Sequence, residues 1–253
     1  MKAKIALVTG GSRGLGKSAA LRLAEKGHDV IITYHSQKEM ADEVVKEIEA
    51  GGSMAAALKY DSEDFNCLGD FVQHIEQTLS QKWNTDKFDF LINNAGIGAT
   101  IPFDKVTESD FDRFMNIHFK SVFFLCQRLL PLMNNNGRII NMSTGTTRFA
   151  NPGYTVYASM KGAIEVFTKY LAKEVGPRGI TVNVLAPGPI ETDFNNAAIR
   201  NAPPERRAGM MANTALGRLG NADDVGKVIA FLCSEDSEWI NGQRIEASGG
   251  INL

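Results

Sequence analysis

Short apolar runs alternate with amphipathic segments along this whole chain, and that alternation restricts its fold more than any other feature. "KIALVTG" (4–10), "DVIITY" (29–34), "SMAAALKYD" (53–61), "FDFLINNAG" (88–96), "GRIINMS" (137–143), "ITVNVLAPG" (180–188) and "GQRIEAS" (242–248) read as strands. Between them, "GKSAALRLAEKG" (16–27), "KEMADEVVKEIEAGG" (38–52) and "FNCLGDFVQHIEQTL" (65–79) space their apolar residues as helices do. Residues 109–133, 153–179 and 223–234 read as further helices. Most of the strands are apolar on both faces, which predicts a parallel sheet covered by helices on each side.

No Pro/Ser-rich linker divides the 253 residues, so one domain is expected over 1–253. Residues 191–220, "ETDFNNAAIRNAPPERRAGMMANTALGRLG", are long for a connection and predict a lid or binding segment. The formal charge of −2 and the lack of a basic run argue against nucleic acid as a partner. Cys67, Cys126 and Cys233 lie far apart without a CxxC, and the four histidines form no HxxxH pair, so no metal is expected. The reduced thiols and the absence of a signal-like or membrane-spanning apolar stretch predict a cytoplasmic protein with no membrane partner.

The first strand runs into "TGGSRGLGKS", where Gly10, Gly14 and Gly16 open a helix. Unpaired N–H groups and the helix dipole favour an anion there, and glycine lets the backbone approach it closely. The G-x-x-x-G-x-G spacing lacks the Lys–Ser/Thr ending of a nucleoside-triphosphate loop, and it points to a dinucleotide. Further on, Tyr157 and Lys161 stand at i, i+4 within a predicted helix, so phenol and ammonium share a face.

Together these residues resemble the short-chain dehydrogenase/reductase family over nearly the whole chain. "TGGSRGLG", "NNAG" at 93–96, "YASMK" at 157–161 and "PGPIET" at 187–192 match its motifs in order. The branch it looks most like holds 3-oxoacyl carrier-protein reductases and glucose dehydrogenases. The resemblance implies a doubly wound, Rossmann-type seven-stranded parallel sheet, in a homotetramer. It implies catalysis by Asn116, a hydroxyl, Tyr157 and Lys161. It also implies a cofactor held by Gly10, Ser12, Arg13, Gly14, Leu15, Gly16, His35, Ser36, Asp61 and Ser62. Asn93, Ala95, Gly96, Tyr157, Lys161, Pro187, Gly188, Ile190 and Thr192 would complete that site.

A free phenol titrates near pH 10, too high for proton exchange at neutrality. A neighbouring ammonium and an oxidised nicotinamide both favour the phenolate and are expected to pull Tyr157 down. Tyr157 would then give a proton to a carbonyl oxygen as hydride reaches its carbon. Lys161 would tune the phenol and bind the ribose, and Asn116 would hold a relay water. The activity expected is NAD(P)(H)-dependent transfer of hydride between nicotinamide and a carbonyl or secondary alcohol. A non-catalytic NADPH-binding sensor is disfavoured by the Tyr157–Lys161 pair. A dehydratase or epimerase often carries an extended substrate domain, which this chain has no room for.

NAD sites place an acid near the end of the second strand for the ribose 2′-hydroxyl. Here "ITYHSQKE" has no carboxylate before Glu39, while Arg13, His35 and Ser36 can meet a 2′-phosphate. NADP(H) is therefore expected over NAD(H), with a preference that weakens as His35 loses its proton. The family's catalytic serine stands thirteen residues before the tyrosine, and counting back from Tyr157 reaches Thr144. Ser143 takes that place only if the intervening loop carries an insertion, so both hydroxyls stay candidates, with Thr144 ahead.

Overall fold

The computed structural model describes residues 3–253. Seven strands build one sheet: β1 (Ile5–Val8), β2 (Asp29–Tyr34), β3 (Ala55–Lys59), β4 (Phe88–Asn93), β5 (Met133–Met142), β6 (Thr181–Pro187) and β7 (Arg244–Ala247). All pair in parallel, in the order β3-β2-β1-β4-β5-β6-β7. This is the doubly wound arrangement, and the strand order reverses between β1 and β4. In sheets of this kind ligands bind at that reversal, outside the carboxyl ends of the strands.

Alternation along each strand divides the core in two. Ile5, Leu7, Ile31, Leu91, Ile139 and Val182 face one way. They meet α3 (Leu68–Trp83), α5 (Ser121–Leu129) and α6 (Thr155–Val175) through Phe71, Ile75, Leu125, Ile164 and Leu171. Ala6, Val8, Val30, Ile32, Ile92 and Ile140 face the other way. Their partners are α1 (Gly14–Glu25), α2 (Lys38–Ala50) and a helix over Ala222–Leu232, through Ala20, Leu23, Val44, Val225 and Ile229. Strands buried on both faces need apolar residues at consecutive positions, which is why the period-two signature is missing from their sequence.

Between α3 and α5 lies α4 (Glu108–Met115), capped by Thr107 and Asp110, each bonding the other's backbone N–H. It passes into α5 through a widened π-turn, Asn116–Lys120. The 191–220 segment is structured rather than loose. It holds a short turn, Phe194–Ala197, in which Asn195 (φ 52°) and Asn196 (φ 54°) are left-handed, and the helix Pro204–Ala212. A bridge between Ile190 and Gly220 closes its base, and Arg207 ties back to Glu191.

Candidate active site

The glycine turn is held from both sides by neighbouring strands. The Gly10 N–H donates to Thr33 Oγ1 at 3.0 Å, and Gly11 N–H to the Thr33 carbonyl at 2.8 Å. From β4, Asn94 Nδ2 donates to the carbonyls of Thr9 (2.9 Å) and Gly10 (3.1 Å). Thr9 Oγ1 in turn accepts from the N–H groups of Asn94 and Ala95, at 2.9 and 3.0 Å. Gly10 (φ 66°) and Gly14 (φ 56°) are left-handed, and a Cβ on Gly16 would collide with the Gly10 carbonyl oxygen. Arg13 precedes α1 without a side-chain cap, so the first-turn N–H groups stay open to an anion. Thr192, from the loop after β6, stands over Gly14: a Cβ there would sit 3.7 Å from the threonine. The cradle thus fits a pyrophosphate, and Thr192 closes its rim.

At the carboxyl end of β5 the chain places Ser143 and Thr144 side by side, with different surroundings. Ser143 is buried and its Oγ donates to Glu165 Oε1 at 2.6 Å. The Thr144 hydroxyl lies against the phenol of Tyr157 and favours its ionised form. One turn along α6, Lys161 is buried and donates from Nζ to the Met142 carbonyl at 2.8 Å. Its Nζ stands 5.8 Å from the centre of the Tyr157 ring.

Taken from the protein's own groups, the titration runs against the sequence expectation. Burial pushes the Tyr157 phenol above its usual value, Thr144 only partly offsetting it. Burial also lowers the Lys161 ammonium, to about 8. Each shift has the same cause: a charged form loses hydration that its neighbours do not replace.

Around Tyr157 stand four aromatic rings, His118 at 5.1 Å, Tyr154 and Phe194 at 6.3 Å and Phe114 at 6.4 Å. Phe194 comes from the 191–220 segment and lies beside Gly98, whose missing Cβ makes room for its ring.

Asn116, expected to hold a relay water, opens the π-turn half-buried. His118, two positions on, is the residue of that turn set against the phenol. The side chain of Asn93 points into the core, donating to Asn141 Oδ1 at 2.8 Å, while Asn94 holds the glycine turn. Pairing on a strand sends adjacent residues to opposite faces, so a shift of one position reverses the role. His35 and Asp61 pair at 3.3 Å. Thr9, Thr33, Asn94 and His118 were missed because no spacing rule marks a residue that supports a turn from another strand.

The sheet order, the glycine cradle at its switch point and the Tyr157–Lys161 pair define a nicotinamide-dependent oxidoreductase of the doubly wound class. A family model described as enoyl-(acyl carrier protein) reductase matches residues 10–252. The chain belongs to the short-chain dehydrogenase/reductase family. It is 37% identical over 257 residues to the hydroxynaphthalene reductase-like protein Arp2 of Metarhizium guizhouense, covering 98% of this chain and 94% of that one. Among solved structures, LugOII, a promiscuous reductase that catalyses keto-reduction at C1 in lugdunomycin biosynthesis, superposes with a TM-score of 0.93 at 38% identity. That match covers 99% of this chain and 98% of that one. The angucycline C-6 ketoreductase LanV with bound NADP also superposes at 0.93, with 37% identity, covering 99% and 96%.

Proposed function

We propose that this protein is an NADP(H)-preferring carbonyl reductase in which Tyr157 is the general acid. The observation that carries the reading is the convergence of Thr144, Tyr157 and Lys161 at the carboxyl edge of β5, two strands from the glycine cradle. When bound, the nicotinamide supplies the hydride. Tyr157 Oη gives its proton to the carbonyl oxygen, and Thr144 Oγ1–H donates to that oxygen as negative charge grows on it. Lys161 then stabilises the phenolate left behind, and its bond to the Met142 carbonyl holds the ammonium in place. The proposed cofactor contacts are those named from the sequence, with the Asn93 position contributing backbone alone. Arg13 and Ser36, exposed near the end of β2, whose own residues carry no carboxylate there, support recognition of a 2′-phosphate. LanV, with NADP bound, supports the same choice.

The substrate we propose is a flat aromatic ketone. Tyr154 and Phe194 line the approach to Tyr157, and rings stack on such a face with little loss of side-chain freedom. Residues 191–220 act as the lid that carries Phe194. The same reading includes a homotetramer in the cytoplasm. Val166 (55% exposed) and Tyr170 (69%) on α6 leave an apolar strip that a second copy would cover, and the three cysteines are unpaired. NADPH consumption across a panel of aromatic and aliphatic ketones tests the activity. Turnover lost in Tyr157→Phe supports it, and no turnover with any ketone overturns it. Light scattering at micromolar concentration tests the assembly, which a monomer contradicts.

A further inference from the structure

The widened turn Asn116–Lys120 rotates the residues that follow it about the helix axis, and His118 is the one it buries completely. Its Nε2 lies 2.8 Å from the Ile97 carbonyl oxygen, with the Ile97 nitrogen 3.4 Å away. Its Nδ1 is buried with no hydrogen-bond partner. The ring stands edge-on to Tyr157, with an interplanar angle of 85°, and stacks on Phe114. Glycine at position 96 permits this approach: a Cβ there would lie 2.8 Å from Cε1 and 3.3 Å from Nδ1 of the imidazole.

Burial, together with the positive charge of Lys161, holds His118 in its neutral form. A neutral imidazole carries one proton. Nε2 meets both the Ile97 carbonyl at 2.8 Å and the Ile97 N–H, which donates toward it at 3.4 Å, and the much shorter contact to the carbonyl places the proton on Nε2. Nδ1 then presents a lone pair with no partner among the described residues. Buried polar atoms in cores are paired, and an unpaired one calls for a functional account.

Resting on the Tyr157 reading above, we propose that His118 is a positioning residue for the reaction. Its Nε2–H ties the turn before α5 to Ile97, its ring edge braces the phenol, and Nδ1 accepts the hydrogen bond that orients the carrier returning a proton to Tyr157. Each reduction removes one proton from Tyr157 Oη, and one must come back from solvent along the Lys161 side. His118 keeps its own proton and stays neutral throughout.

Two measurements test this. Nitrogen-15 spectra of the histidines in the cofactor-free protein, assigned with His118→Asn, should show His118 as the Nε2–H tautomer. It should be uncharged at pH 6.5, where a free imidazole is half protonated. A protonated His118 at that pH, or the Nδ1–H tautomer, overturns the proposal whether or not the protein turns over a ketone. In steady-state kinetics, His118→Leu should lower kcat on the order of 10²-fold. The KM for ketone and the affinity for NADPH should change by less than about threefold. His118→Asn, whose amide keeps a donor and an acceptor, should recover most of the loss. Full kcat in His118→Leu refutes the role, and so does a joint loss of NADPH affinity and thermal stability in both variants. A wild type that consumes no NADPH with any ketone refutes the reductase reading instead.

Discussion

Ser143 Oγ donates to Glu165 Oε1 across 2.6 Å, and the same oxygen accepts from Thr147 Oγ1 at 2.7 Å and Arg244 Nε at 2.9 Å. Arg244 Nη2 donates to the Thr144 carbonyl at 3.0 Å, so the ion pair holds the serine hydroxyl and the backbone just after it. The hydroxyl of Ser143 is committed to this cluster, whereas that of Thr144 accepts from the Thr146 N–H and hydroxyl at 3.3 Å and keeps its own proton free for Tyr157.

Thr144→Val should therefore lower turnover on the order of 10²-fold at little cost in stability, since a hydrogen-bond donor to the growing oxyanion is lost. Thr144→Ser should be mild. Ser143→Ala should leave kcat within a few-fold and cost about 1 kcal/mol in denaturant unfolding, because Glu165 loses one donor. Steady-state kinetics and urea titration check the ranking. An inactive Ser143→Ala beside an active Thr144→Val would hand the role to Ser143.

Arg13 is exposed at the start of α1 beside the expected 2′-phosphate position. Arg13→Ala should weaken NADPH binding roughly tenfold or more, as one charge-assisted contact disappears, and leave NADH unchanged. Fluorescence titration of both cofactors decides it, and an equal loss for each would remove Arg13 from cofactor choice.

The Lys161 ammonium titrates at about 8 in the folded protein against 10.5 for the unperturbed side chain. Between those values the unfolded chain binds the extra proton, so stability rises with pH across that window. The penalty is fully present below pH 8 and gone above 10.5, with an upper limit of about 3 kcal/mol. The difference in unfolding free energy between wild type and Lys161→Met should follow this rise. A difference that is flat with pH would mean that Lys161 is not desolvated.

Asn94 Nδ2 is the clamp on the glycine turn. Asn94→Ala should cost about 2 kcal/mol by leaving the Thr9 and Gly10 carbonyls short of a donor, and should weaken NADPH about tenfold. Asn93→Ala should lower stability through the core and leave the remaining NADPH affinity near that of wild type. Calorimetric titration separates the two variants.

What the amino-acid order determined by itself was whatever depends on local spacing. The strands of 29–34 and 180–188, the helix carrying Tyr157 and Lys161, and the glycine turn after β1 are each set by neighbours within a few residues. Their type was legible although boundaries moved, as at β5, which begins at Met133 rather than Gly137. Tertiary structure decided what depends on which strand lies beside which. Thr33 and Asn94 support Gly10 from sequence distances of 23 and 84 residues, across pairings that no local pattern encodes. The choice between Ser143 and Thr144 turned on Glu165 and Arg244, which reach the loop from α6 and β7. That the His118 ring meets Tyr157 follows from one extra residue in a helical turn. Such a turn keeps the sequence helical in character while rotating every later side chain, so only the folded helix shows which of its residues faces the phenol.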